Sequence, residues 1–464
     1  MENDGNNSGK LSGSFRDPSG FLFYNGGVLL RRINFFYKDD FDYFLSSGLY
    51  KALLNDELIV GHEEVVEGVA MHKGGYKIIK PELVPFISYP CEWSFSQLKD
   101  AALLTLKIHK KALGFGMSLK DASAYNIQFR NGKPVLIDTL SFEKYKEGEP
   151  WIAYRQFCQH FLAPLALMSY RDIRLGQLFR IYIDGIPLDL ASSLLPLKTR
   201  FVFPILSHIH LHAKTQKYFS DKVVRNKKIS LSRRRMLALI DNMERAVKSL
   251  TWEAKNTEWA DYYDKTNYSV KGFENKKKTI SEFLDIVKPK TVWDLGANNG
   301  LFSRIASENR IFTVSLDMDP AAVEQNYLLS AVKKDKFILP LVLDLFNPTP
   351  SMGWGHKERM SLIERGPAGV IFALALVHHL AISNNLPFSI IAELFSRMSN
   401  SLIIEFVPKN DSQVQRLLST RKDIFFNYNK ESFEKEFSQY FKIQKVHQIK
   451  DSNRTLYLMK KIEY

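Results

Sequence analysis

The chain has 464 residues, 45% of them hydrophobic and 13% aromatic, enough apolar material for two or three globular domains and too much for a disordered chain. No run of apolar residues approaches the length of a membrane span, and the polar start, residues 1–14, lacks a signal-peptide core and reads as a disordered tail. The net charge is +14, and Cys91 and Cys158 are the only cysteines, which points to a reducing, cytoplasmic setting and excludes both a disulfide framework and a cysteine-rich metal site.

Residues 15–245 read as an α+β domain. Positions 97–111 fit an amphipathic helix with Leu98, Ala101, Ala102, Leu104, Thr105 and Ile108 on its core face. Asp121 and Asn126 follow, then Asn131-Gly132, a two-residue hairpin signal, and a strand ending at Asp138. The Asp121-x4-Asn126 step and Asp138 resemble the catalytic loop and metal-binding acid of protein kinases. That resemblance implies that Asp121 meets an acceptor hydroxyl and that Asn126 and Asp138 hold Mg²⁺. The pattern is incomplete. Thr139-Leu140 replaces Phe-Gly, no His-Arg precedes Asp121, and the nearest glycine pairs upstream, Gly26-Gly27 and Gly74-Gly75, look like hairpin turns. Lys77 and Lys80 are the candidates for a phosphate-pairing lysine. A kinase-like substrate or partner domain is expected over 15–245 in preference to an active kinase, the competing reading being a plain hairpin with a polar lead-in.

Two further stretches precede the second half. His208, His210 and His212 alternate as on a strand, but no acid or cysteine stands close by to complete a metal site, and no metal is assigned. Residues 198–248 carry thirteen Lys or Arg against three acids, an excess of +10, peaking at Lys227-Lys228 and Arg233-Arg234-Arg235. This segment is either a solvated helical connector or a surface for phosphate, in nucleic acid, anionic lipid or glycan. Few aromatics interleave with the charges, which favours the connector.

From about residue 290 strand and helix patterns alternate, predicting a parallel sheet. Strands are predicted at 291–295, 312–316, 337–343, 369–375 and 401–406, helices at 301–307, 321–332, 387–398 and 412–419, and a closing hairpin at 441–448 and 455–460. The first strand ends in Asp294-x-Gly296-x-Asn298-x-Gly300 and a helix follows, an arrangement that lets a ligand approach backbone N–H groups. Asp317 ends the second strand 21 positions after Gly296, a spacing at which a carboxylate can take both hydroxyls of a ribose.

Dinucleotide sites want G-x-G-x-x-G. Here the run resembles motif I of class I S-adenosylmethionine (SAM) methyltransferases, acidic-x-Gly-x-Gly-x-Gly, with Asn298 at the middle glycine, a residue that tolerates positive φ. The resemblance implies a Rossmann-like domain over 246–464 with a helical lead-in. Asp294 would order the turn and the methionine end of SAM, and Gly296 and Gly300 would admit the cofactor. Asp317 would take the ribose, with Asp319 a weaker candidate. Asp344, after the third strand, meets the adenine amino group in that family, or here forms a turn or cap. The terminal hairpin resembles the reversed last strand of the fold.

His378 and His379 follow the fourth strand, in a loop that the resemblance places on the side facing the substrate. An O–H or N–H acceptor has to lose a proton, a task suited to His near neutrality; the alternative is that both only shape the loop. Glu405 ends the fifth strand on the same side. Asn347-Pro348-Thr349-Pro350 resembles the tetrad of amino-methylating nucleic-acid enzymes, but it follows the wrong strand, lacks the aromatic, and reads as a turn. The lead-in at 259–268 offers Tyr263 or Tyr268 either to cover SAM or simply to pack.

Asp294 to Gly300, His378-His379 and Ser88-Tyr89-Pro90-Cys91-Glu92-Trp93-Ser94-Phe95 together resemble a bacterial family of SAM-dependent methyltransferases that includes nodulation-related methyltransferase-like proteins. The resemblance covers most of 15–464. It implies an α/β chain, a class I methyltransferase domain preceded by a kinase-like α+β domain, that methylates an O or N acceptor on a glycan, lipid-linked or small-molecule substrate. The alternatives are an RNA- or ribosome-directed methyltransferase that uses 198–248 as its electrostatic footprint, and a bifunctional or pseudokinase–methyltransferase.

Overall fold

The computed structural model describes residues 9–65, 74–214, 231–253, 268–419 and 421–463. The chain forms two units. One comprises Met1–Trp252 with Ser351–Arg359, and the other Glu253–Pro350 with Met360–Tyr464.

In the first unit, β1 (Gly9–Lys10), β2 (Gly20–Asn25), β3 (Val28–Asn34), β4 (His62–Glu64) and β5 (Gly75–Pro81) form an antiparallel sheet in the order β1-β2-β3-β5-β4. Gly9 and Lys10 fall within the expected disordered tail, yet they pair with Tyr24 and Phe23 on β2, whose open edge supplies the partners. The helix Phe95–Gly114 starts at a capping box made by Ser94 and Gln97, and all six residues expected on its core face are buried. Beyond it come β6 (Met117–Leu119), β7 (Ile127–Arg130), β8 (Lys133–Leu136) and β9 (Phe142–Lys144). Asn131 (φ 53°) and Gly132 (φ 73°) make the two-residue turn between β7 and β8 that their sequence predicts.

The three histidines at 208–212 do not lie on a strand. Leu206–Leu211 is a wide helical turn. The His208 ring bonds the Tyr154 hydroxyl (2.7 Å) and Asn242 (2.8 Å), and the His210 ring bonds Ser192 (2.8 Å) and Thr199 (2.9 Å). Alternation over five residues carries too little pattern to fix a period, and the polar partners inside the unit decide the outcome. The run 88–95 is a buried knot: Ser88 N–H donates to Gln128 Oε1 (2.8 Å), and the Trp93 indole donates to Ser88 Oγ (2.9 Å). Residues 351–359 are sewn into this unit from far along the chain. Ser12 Oγ donates to the Lys357 carbonyl (2.9 Å), Arg16 pairs with Glu358 (2.9 Å), and the Arg359 guanidinium lies 4.3 Å from the Tyr125 ring centre.

The second unit is built on seven strands: β10 (Thr291–Leu295), β11 (Phe312–Asp317), β12 (Ile338–Val342), β13 (Val370–Ala373), β14 (Ser401–Phe406), β15 (Phe441–Gln448) and β16 (Thr455–Lys461). Their order is β12-β11-β10-β13-β14-β16-β15, parallel from β12 to β14, with β16 antiparallel to both neighbours. This is a Rossmann-like sheet closed by a reversed strand. Val292, Val370, Phe372, Ile403, Leu456 and Leu458 form its core against Ile280, Phe283 and Leu284 of the helix Val270–Val287. The helix Lys430–Phe437 lies where no helix was predicted. The connections run outward in opposite directions from β10 and β13, which places the switch-point crevice beyond the carboxyl ends of those two strands.

Candidate functional site

The turn after β10 lies at that crevice. Gly296 (φ 72°), Asn298 (φ 52°) and Gly300 (φ 77°) all take the left-handed conformation, so Asn298 does what the missing glycine would do. A Cβ on Gly300 would collide with the Asn326 side chain, which is fixed by Arg304 (2.7 Å) and Ser315 (2.8 Å).

The turn's backbone donors are not open, contrary to the sequence reading. Gly296 and Ala297 N–H donate to the Leu316 carbonyl (2.9 and 3.0 Å), and Asn298 N–H donates to Asp317 Oδ2 (2.7 Å). Asn299 N–H donates to the Asn298 side chain (2.8 Å), and Gly300 N–H to the Ala297 carbonyl (2.9 Å). The three left-handed residues curl the backbone onto its own acceptors and onto β11.

Two buried acids face the turn. Asp294 accepts from the Ser303 hydroxyl (2.6 Å), and burial, reinforced by Asp317, pushes its carboxyl up to about 7 against the pull of Ser303 and Lys276. Asp317 also accepts the Asp319 N–H (2.9 Å); burial pushes it up to about 6, opposed by the backbone donors. Asp319 caps the helix Pro320–Lys333 through one oxygen, bonded to Ala321 N–H (2.8 Å). Its other oxygen is buried without a partner. Asp344 forms a local turn, accepting the Phe346 N–H (2.9 Å).

The two histidines separate by depth. The His378 ring is wholly buried with both nitrogens unpartnered, and the His379 ring beside it, 4.3 Å between centres, is half-buried. Burial, with Arg454 nearby, holds His379 down to about 4, and burial with the neighbouring His379 pushes His378 well below the ordinary range. Both are neutral near pH 7.

Glu405, expected as a substrate-side acid, is instead the centre of a buried network. Lys276 Nζ meets its Oε2 at 2.6 Å, the Tyr268 hydroxyl donates to its Oε1, and Arg454 stands 3.7 Å away. Arg454 also grips Asp411 with two bonds (2.8 and 3.0 Å) and donates to the Tyr268 hydroxyl (2.7 Å). Burial opposes ionisation of Glu405, but Lys276 and Arg454 outweigh it and hold the acid below the ordinary range. Its oxygens are thus committed to protein partners. Tyr268 is tied into the same network, whereas Tyr263 lies outside the described residues. The Lys276–Glu405 and Tyr268–Arg454 pairs span 129 and 186 residues of sequence, a separation no local pattern signals.

The first unit does bring Asp121, Asn126 and Asp138 together. Asp121 accepts from Ser123 N–H (3.0 Å) and Gln156 (2.8 Å); burial and the neighbouring Asp138 raise its pKa. Asn126 donates to Ser141 Oγ at 3.4 Å, and that hydroxyl donates to Asp138 at 2.6 Å. Asp138 is also held by Arg31 on β3 (2.5 Å) and by Leu140 N–H (3.0 Å), which keep it ionised against its burial. Arg31 was not singled out in the sequence. Lys77 pairs instead with Glu64 (2.8 Å). Among the described residues no group of three or more His, Cys, Asp or Glu side chains could hold a metal ion.

No protein-family model matches the chain. It is 34% identical to nodulation protein NoeA of Rhizobium meliloti (strain 1021) over 467 residues, 98% of this chain and 97% of that one. The chain belongs to the NoeA family. Among solved structures it is similar to magnesium protoporphyrin IX methyltransferase ChlM from Synechocystis PCC 6803 with bound SAH, at TM-score 0.30 and 12% identity over 41% of this chain and 84% of that one. It is also similar to the bifunctional kinase-methyltransferase WbdD, at TM-score 0.29 and 15% identity over 46% of this chain and 45% of that one, less than half of WbdD's length. The second unit of this NoeA-family chain is thus a Rossmann-like sheet closed by a reversed strand, with three left-handed residues in the turn after its first strand.

Proposed function

We propose that the second unit transfers the methyl group of SAM to an oxygen or nitrogen of a glycan, lipid-linked or small-molecule acceptor. One observation carries the cofactor side of this reading: the turn has used all five of its N–H donors internally and faces buried acids. A diphosphate needs those donors, whereas a sulfonium nucleoside offers a cation and hydroxyls that need acceptors. The residues fit such a group. Gly296 holds the left-handed turn where a Cβ would come within 3.2 Å of Leu376, Asp294 flanks the turn on the side of the cationic methionine end, and the unpartnered oxygen of Asp319, with the remaining lone pairs of Asp317, suits the ribose hydroxyls. The cofactor supplies an electrophilic methyl group.

His379 takes the proton that the acceptor releases as the new C–O or C–N bond forms and the methyl–sulfur bond breaks. Its half-exposed, uncharged ring supports that role, and His378 backs it from the interior. Calorimetry with SAM and its demethylated product tests the reading. Wild type binds both, and Asp317→Ala loses most of that affinity. His379→Ala keeps the binding but loses roughly 10²–10⁴ in turnover. Absence of SAM binding, or unchanged binding by Asp317→Ala, removes the proposal.

A second reading concerns the first unit. The meeting of Asp121, Asn126 and Asp138 supports a kinase-like scaffold. The residues as placed do not fit Mg²⁺, because Arg31, Ser141 and Leu140 occupy Asp138.

A further inference from the structure

Leu197–Phe201 forms a tight helical turn, and Phe203–Ile205 follows it at once. Three large apolar side chains project from this short stretch: Leu197 is 70% exposed, Phe201 91% and Phe203 67%. The turn is pegged from inside by Thr199, fully buried, whose hydroxyl donates to the Pro196 carbonyl (2.6 Å) and lies 2.9 Å from His210 Nε2. His210 is fixed in turn by Ser192 at 2.8 Å. With Thr199 held inward, positions 197, 201 and 203 are held outward.

The cations around them are as regular. Lys198 and Arg200 alternate with the apolar side chains and are exposed, and Lys214 follows. Arg200 and Lys214 both lie close enough to His210 to press its pKa down, after burial, so they flank the same peg. No acid occurs in residues 190–220.

We propose that this turn is a membrane-surface anchor, in which Leu197, Phe201 and Phe203 enter the headgroup–acyl boundary of a bilayer while Lys198, Arg200 and Lys214 meet anionic lipid phosphates. Charge complementarity commits the patch to anionic lipid. Single-stranded nucleic acid would use the cations and could stack on the phenylalanines, but it gives Leu197 no role. Among the described residues no helix is long and apolar enough to cross a membrane, so the attachment is to the surface. The proposal goes beyond methyl transfer and does not depend on it.

Co-sedimentation of the full chain with vesicles tests it. The protein pellets with mixed phosphatidylcholine–phosphatidylglycerol vesicles and stays in solution with phosphatidylcholine alone. The double variant Phe201→Ser, Phe203→Ser lowers partitioning by about tenfold or more, and Lys198→Glu, Arg200→Glu lowers it several-fold in a salt-sensitive way. All four positions are exposed, and unchanged melting temperatures confirm that the variants fold. The proposal is overturned if wild type ignores anionic vesicles or if the phenylalanine variant binds them undiminished. It is also overturned in favour of nucleic acid if that variant loses only binding to a single-stranded oligonucleotide.

Discussion

Asp294 and Asp317 are carboxylates that burial keeps partly protonated near neutrality, with values of about 7 and about 6 against an ordinary 3.8. The sign of their effect follows. Their folded-state values are raised, so without cofactor their contribution to stability is fully present below 3.8 and is lost as the pH climbs through 6 to 7. A cationic ligand favours the ionised forms and reverses that preference. SAM binding is therefore expected to expel protons and to tighten between about pH 5 and about pH 8. Calorimetry in two buffers of different ionisation heat reads the protons released, and heats independent of buffer across that range would take both acids out of the site. His379, near 4, is already uncharged over this interval and contributes nothing to the trend.

At the scale of elements, the helix Val270–Val287 is locked to the end of β14 by Lys276 on Glu405, and the Asp411 loop to β16 by Arg454. All four groups are nearly or wholly buried. Replacing Lys276 alone with Met strands a buried carboxylate and is expected to cost about 3–5 kcal/mol in chemical denaturation. Pairing it with Glu405→Gln should restore much of that loss. If the double variant is no more stable than the single, charge compensation is not what holds these elements together.

The strands show what local pattern can and cannot reveal. Residues 291–295 and 401–406 have the predicted bounds, because long apolar runs that end in an acid leave little choice of register. The left-handed Asn298 was legible from its residue type and spacing. That the turn would consume its own donors was not, since it depends on where β11 places Leu316 and Asp317. Nor was the fate of Glu405, whose partners come from a helix and a hairpin far apart in sequence, or that of the histidines at 208–212, whose alternation yielded to partners on other elements.

Across the whole molecule, the chain divides into two units, the first of which takes residues 351–359 from far along the sequence, where one continuous domain was expected over 246–464. The first gathers Asp121, Asn126 and Asp138 but sets Arg31 against the last of them. A thermal-shift series with ATP, alone and with Mg²⁺, is expected to show no magnesium-dependent rise. A rise that Asp138→Ala abolishes would make the unit a working nucleotide site instead of a scaffold.

The stitch at 351–359 has a consequence for how the chain is made. The first unit's amino-terminal strands are complete early in translation, yet Ser12 and Arg16 wait for Lys357 and Glu358, which arrive only after β12 of the other unit has been synthesised. The ribosome therefore releases a leading body with an open seam, and its closure is timed by the progress of its successor. A gene cut between the two halves would leave the first without its closing segment.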